Sequence, residues 1–238
     1  MNQKSIAIRR ATLELMVKYG GTHFGGSLSC IEILMSIFDN ITTNDMFILS
    51  KGHSCWPYYI LLKEKGYNPR IEAHPHRDIY NGIPTTTGSL GHGLPFGLGV
   101  ALAKKLKEET GKVIILLGDG ECQEGTFWET LLYAGTKRLD NLSVLVDMNM
   151  IQGSGYNTTL TTKMLLDIGT SCNWNTTIID GHNIDTITKI LTEKITKPTL
   201  VIAETIKGKG ISFMENQVAW HSKPLSAELY KTAIEELK

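Results

Sequence analysis

Apolar positions recur along this chain in two rhythms. Ile8, Ala11, Leu15 and Tyr19 fall on one face at helical spacing, and Gly20-Gly21 is predicted to end that helix. Ile31, Leu34, Met35 and Phe38 give a second helix its apolar side, with Ser29 and Glu32 ahead of it at capping-box spacing. Leu94, Leu98, Leu102 and Leu106 mark one face of a third, with Pro95 in its first turn. Gly91, Gly93, Gly97 and Gly99 would weaken that helix alone, so they are expected to permit close packing against a sheet or a ligand. The second rhythm is a set of short continuous apolar runs, Met46 to Leu49, Val113 to Leu117 and Ser143 to Val146, while Thr176 to Ile179 and Thr199 to Ala203 read as two more strands. Continuous rather than alternating runs predict strands buried on both faces, as in a parallel sheet.

Helical segments separate these strands, including one running to about Lys65, one after Gly120, one from Ile184 to about Glu193 and one at the end. Alternating strand and helix predicts an α/β fold: a doubly wound, mostly parallel sheet flanked by helices, in a single domain over 1–238. Thr22 to Ser27 reads as a turn-rich loop. Two longer stretches lack periodicity, 66–90 and 206–224, the latter carrying Trp220 and His221. Such stretches inside a compact domain are functional loops.

In an open parallel sheet the carboxyl ends of the strands share one edge, where ligands bind. Asp119, in Gly118-Asp119-Gly120-Glu121, ends one apolar run, and Asn149 follows the next, thirty positions later. Asp and Asn also favour ordinary turns, so the pair alone leaves two readings open. Two hard oxygen ligands beside glycine backbone suit a magnesium ion that phosphate also holds.

Composition narrows the field by exclusion. With 42% hydrophobic and 20% charged residues the chain reads as an ordinary globular protein, and its formal net charge of zero points to neither nucleic acid nor an anionic membrane as partner. Cys30, Cys55, Cys122 and Cys172 show no metal-ligand spacing and read as reduced thiols in the cytoplasm. No apolar run is long enough to span a bilayer. No Gly-x-Gly-x-x-Gly opens a helix near the amino terminus, which sets a nucleotide-dependent dehydrogenase last.

The Gly-Asp-Gly, the thirty-residue gap and the Asn, with Ser50-Lys51-Gly52-His53 and Thr86-Thr87-Gly88-Ser89-Leu90-Gly91, resemble the amino-terminal, diphosphate-binding half of the transketolases. The resemblance covers that half nearly end to end. It implies thiamine diphosphate as cofactor and Mg2+ as metal (Ca2+ or Mn2+ able to substitute), held by Asp119, the Asn149 side-chain oxygen and the Ile151 carbonyl. It further implies cofactor contacts from His53, Gly88, Ser89, Leu90, Gly118, Gly120, Glu121 and His221. His23, His53, His74 and His221 would handle protons and substrate hydroxyls, while Glu124, with Glu129 near it, would link two cofactors across a dimer interface. Phe24 stands where the family often has proline after its first histidine, and Met148 where it has Asn or Asp. His92 is expected to be structural, His182 a turn residue, and Lys207 and Lys209 part of a solvated loop or, alternatively, of a segment that closes over a ligand.

The family's second, pyrimidine-binding half is missing from this sequence, together with the glutamate that activates the cofactor. The resemblance therefore implies one subunit of a split transketolase, working in a heterotetramer with a pyrimidine-domain chain on sugar phosphates. Rival readings are a deoxyxylulose-phosphate synthase-like or 2-oxoacid dehydrogenase-like subunit, or a non-catalytic subunit that keeps the cofactor fold.

Overall fold

A computed structural model describes residues 1–238. Its strands are β1 (Met46–Leu49), β2 (Val113–Gly118), β3 (Leu142–Met148), β4 (Ile151–Gln152), β5 (Gly155–Tyr156), β6 (Asn175–Asp180) and β7 (Thr199–Glu204). Five form one parallel sheet in the order β1-β2-β3-β7-β6, and β4 and β5 make a small antiparallel ribbon. The helices are α1 (Gln3–Tyr19), α2 (Phe24–Ser29), α3 (Ile31–Asn40), α4 (Trp56–Glu64), α5 (Gly93–Leu106), α6 (Gly125–Lys137), α7 (Thr162–Ser171), α8 (Ile184–Thr192) and α9 (Ala227–Glu236).

Every residue of β2 and β3 is buried, because helices cover both faces of the sheet. Alternate side chains feed two cores. Ile114, Leu116, Leu145, Val201 and Ala203 pack with the helices from α1 to α4 and with α8. Val113, Ile115, Leu117, Val144, Val146, Leu200 and Ile202 pack with α5, α6 and α7. This is the expected doubly wound arrangement. No helix is long and apolar enough to cross a membrane.

Three local expectations are corrected. Thr22 to Ser27 is not a loop throughout, since Phe24–Ser29 forms the short, fully buried helix α2. Two glycines lowered its helical signal, but burial of Phe24 and Leu28 overrides propensity. Ser29 does not cap α3: its hydroxyl donates to Asp147 Oδ2 at 2.6 Å, with Gly26 O 3.0 Å from the same oxygen. Finally, the leucine stripe of α5 faces inward only in part, since Leu94 is buried and Leu98 and Leu102 pack against the second core, whereas Leu106 does not. Gly93, Leu94, Gly97 and Ala101 are the buried positions, and Leu106 is 84% exposed. Small residues let α5 lie close on the sheet, as a Cβ on Gly97 would stand 2.3 Å from Ile115 Cδ1. Gly99 has open space around it instead.

Candidate functional site

The carboxyl ends of β1, β2, β3 and β7 open into a cleft of about 480 Å³. Its walls include His23, His53, His74 and His221, with Gly88, Leu90, Gly118, Asp119, Gly120, Glu121, Glu124, Asn149 and Ile151. Six connecting segments therefore bring the residues named from sequence to one place: those before α2, after β1, before α5, and after β2, β3 and β7. Ser89 is exposed outside the lining, as is His92, while Glu129 is exposed on α6.

One corner gathers oxygen atoms. Asn149 Nδ2 donates to Asp147 Oδ2 at 3.2 Å, which turns Asn149 Oδ1 the other way, where it accepts from Ile151 N at 3.2 Å. Met150 between them takes a left-handed φ of +62°, an uncommon conformation for a side chain of this kind. That turn lets the Asn149 amide oxygen and the Ile151 carbonyl face a common point. Lys207 Nζ stands there, 2.8 Å from Ile151 O and 3.5 Å from Asn149 Oδ1. Asp119, 3% exposed, receives only Gly120 N at 3.0 Å and Asn157 Nδ2 at 3.5 Å. Burial, and then the nearby Asp147 charge, raise its carboxyl above the usual aspartate range.

This donor set fits a cation. An ammonium already rests on two of the oxygens, and a sparsely partnered buried carboxylate stands in the same cleft. No cluster of three or more His, Cys, Asp or Glu side chains could hold a metal ion, so a metal here would use a mixed carboxylate, amide and carbonyl set. The Gly118 site fits an anion's approach, since a Cβ there would meet nothing closer than 3.9 Å. Packing does not demand that glycine; access to the cleft does.

Glu121 has a different task. Its carboxylate accepts from Ser50 Oγ at 2.6 Å, Gly118 N at 2.9 Å and Gly91 N at 3.0 Å, tying together the loops after β1 and β2 and the one before α5. Gly88 is held at a φ of +133° with its missing Cβ 2.8 Å from His74 Cδ2, so any side chain would displace His74.

The histidines form the other wall. The rings of His23, His53 and His221 lie 5.2–5.8 Å apart pairwise. Burial and then the charge of Lys51 push His53 well below the ordinary imidazole value. Burial and then Lys207 lower His221 to about 4, and burial and then His74 lower His23. The three rings are neutral at physiological pH, able both to donate and to accept. His221 Nδ1 is buried with no partner, a polar group turned toward nothing in the protein.

Sequence reasoning missed three contributors. Lys51 is buried, bonds Gly26 O at 3.0 Å and pairs with Asp147. Asp147 also accepts from Ser29, Thr205 and Asn149, so Lys51's charge, with these donors, outweighs burial and keeps its carboxyl low. Lys207 is 2% exposed, which overturns its reading as a solvated residue. Burial, and then the charge of Lys51, bring its ammonium down to about 8. Lys51 lies within the Ser-Lys-Gly-His motif, whereas nothing local marks Lys207, because Lys-Gly-Lys-Gly reads as solvent-facing composition.

Comparison with known proteins decides the family. A family model described as the transketolase, thiamine diphosphate binding domain matches residues 2–237. The chain belongs to that family. It is 34% identical over 264 residues to a subunit of the 6-deoxy-6-sulfo-D-fructose transketolase of Clostridium sp. (strain MSTE9), covering 100% of this chain and 96% of the relative. It is 32% identical over 257 residues to one subunit of the apulose-4-phosphate transketolase of Phocaeicola vulgatus, covering 96% and 90%. Among solved structures, the transketolase of Campylobacter jejuni superposes with a TM-score of 0.86 at 26% identity, over 100% of this chain and 43% of that one. Family membership makes thiamine diphosphate the cofactor of this domain.

Proposed function

We propose that this chain is the cofactor-binding subunit of a two-subunit transketolase, moving a two-carbon ketol unit from a ketose to an aldose. The carrying observation is the corner where an ammonium rests on Asn149 Oδ1 and Ile151 O beside Asp119. Asp119, Asn149 and the Ile151 carbonyl would hold Mg2+, with Lys51 and Lys207 supplying positive charge for the diphosphate and the backbone at Gly118 and Gly120 giving it room. When bound, thiamine diphosphate supplies the electron sink that lets a ketose carbon–carbon bond break.

The rest falls to this chain's side chains. Neutral His23, His53 and His221, with His74 behind Gly88, would hydrogen-bond substrate hydroxyls and hold or pass protons at their ring nitrogens. The unpartnered Nδ1 of His221 supports that reading. Glu124 at the cleft rim would meet the partner assembly. The outer faces of α5 and α6 also support a partner, since α5 exposes Phe96 and Leu106 and α6 exposes Leu132 and Tyr133. We assign that partner as a pyrimidine-domain chain in a cytoplasmic heterotetramer. The two relatives, each one chain of a transketolase, are named for a sulfonated and a phosphorylated sugar. We take the substrate as a ketose with an anionic tail.

The test is reconstitution. The chain, its candidate partner, and both together are assayed with ketose phosphates, a sulfonated ketose and pyruvate as donors. Ketol transfer only by the mixture, lost on chelation of divalent metal and restored by Mg2+, is the expected result. Transfer by the chain alone, or use of pyruvate in place of ketoses, would overturn the proposal.

A further inference from the structure

Two buried ionisable side chains, Arg9 and Glu32, and the half-buried His182 take no part in the cleft. Arg9 is fully buried, and all five of its N–H groups are used. Nη1 donates to Glu32 Oε1 at 2.7 Å and Ser5 O at 3.3 Å, Nη2 to Glu32 Oε2 at 2.9 Å and Leu28 O at 3.4 Å. The fifth, Nε, donates to Lys209 O at 2.9 Å. Glu32 Oε2 also lies 3.0 Å from His182 Nδ1, and His182 Nε2 accepts from Ile206 N at 2.9 Å. A backbone N–H can only donate, so Nε2 is the bare nitrogen and Nδ1 carries the proton toward Glu32.

The two outward bonds of this network grip the same segment on either side of Lys207 and Gly208. His182 holds the Ile206 amide, Arg9 holds the Lys209 carbonyl, and Lys207 lies between them with its ammonium in the cofactor corner. Gly208 N, bonded to Gly25 O at 3.0 Å, completes the clamp. A buried ion network adds little stability over apolar packing, because desolvation offsets its attraction. Its distinctive product is fixed geometry, as in the outer shells that orient metal ligands.

We infer that Glu32, His182 and Arg9 are positioning residues that clamp the 206–209 strap and so aim Lys207 at the diphosphate–metal corner. The inference rests on the proposed reading of that corner, and its test separates the two. Magnesium pyrophosphate is titrated calorimetrically into the full-length chain, wild type and His182→Ala, Lys207→Met and the double variant, with Tm recorded for each. His182→Ala is expected to weaken binding about tenfold, the scale found for outer-shell partners. In the Lys207→Met background it should add nothing, a non-additivity that mere loss of fold would not produce. Hydrogen exchange at the Ile206 amide should quicken in His182→Ala. Equal effects of His182→Ala with and without Lys207, or an unchanged Ile206 amide, would overturn the inference while leaving the corner intact. If Lys207→Met binds pyrophosphate as wild type does, both the clamp's purpose and the corner's reading fall. His182→Gln serves if the alanine variant does not fold.

Discussion

Two buried aspartates stand at adjacent strand ends and have opposite surroundings. Asp147, ending β3, is enclosed by Lys51, Ser29, Thr205 and Asn149, and its carboxyl stays low because these donors outweigh burial. Asp119, following β2, has one good donor and one long one, and burial drives its carboxyl up. The same side chain at neighbouring strand ends is thus complete in one place and incomplete in the other. A saturated carboxylate builds the site, while an unsaturated one waits for something the protein does not provide. The contrast separates scaffold from ligand seat without reference to any bound molecule.

The largest way to break it is Asp147→Ala. Removing that carboxylate leaves the Lys51 ammonium buried without its partner and should cost about 3–5 kcal/mol, read by urea unfolding. A loss under about 1 kcal/mol, the scale of an exposed pair, would mean that Asp147 does not hold the strand ends together.

Acid sharpens the comparison through Glu32, which belongs with Asp147. Burial opposes its charge, but the hydrogen bond from His182 and then that from Arg9 outweigh it and bring the carboxyl from 4.5 to about 2. A folded-state value below the unfolded one means stability fully present above pH 4.5 and lost as pH falls through about 2. That contribution is about 3 kcal/mol. Asp119 has the opposite sign, since its raised value makes its charge costly at neutral pH, a cost relieved as pH drops. Unfolding free energies between pH 6 and 2 should fall in wild type. A flat acid limb would contradict the assignment of Glu32.

Asp119→Asn is the converse experiment. Apo stability should hold or rise, because a poorly partnered buried charge is removed. The stabilisation from Mg2+ with thiamine diphosphate, about 2.7 kcal/mol at a hundred times Kd, should vanish. Retained stabilisation in a thermal-shift titration would show that Asp119 is not a ligand.

These differences explain what the sequence made legible. Strands buried on both faces announce themselves as unbroken apolar runs, so β1, β2, β3 and β7 were readable, and with them the strand ends that carry Asp119 and Asn149. Motif words carried the histidines. What stayed hidden depends on partners distant along the chain. Lys207 is buried because Arg9 and His182, from α1 and the turn after β6, hold its strap down. Ser29 caps nothing because Asp147, on β3, takes its hydroxyl. The α5 leucines marked only part of its inner face, because glycine and alanine beside Leu94 set how near that helix can approach the sheet.

The smallest predicted effect is the most discriminating. Gly118→Ala adds one methyl at an extended backbone position, φ −90° and ψ 157°, with no protein atom within 3.9 Å of the new Cβ. Such a change should stabilise the free chain by about 0.4–1 kcal/mol, because alanine restricts the unfolded chain and strains nothing here. The methyl would project into the cleft where the diphosphate approaches Gly118 and Gly120. Stability and cofactor affinity should therefore move in opposite directions, Tm up and thiamine diphosphate binding down, measured on one sample by thermal unfolding with and without ligand. A glycine retained only for folding would lose stability instead, and one retained for nothing would leave binding untouched.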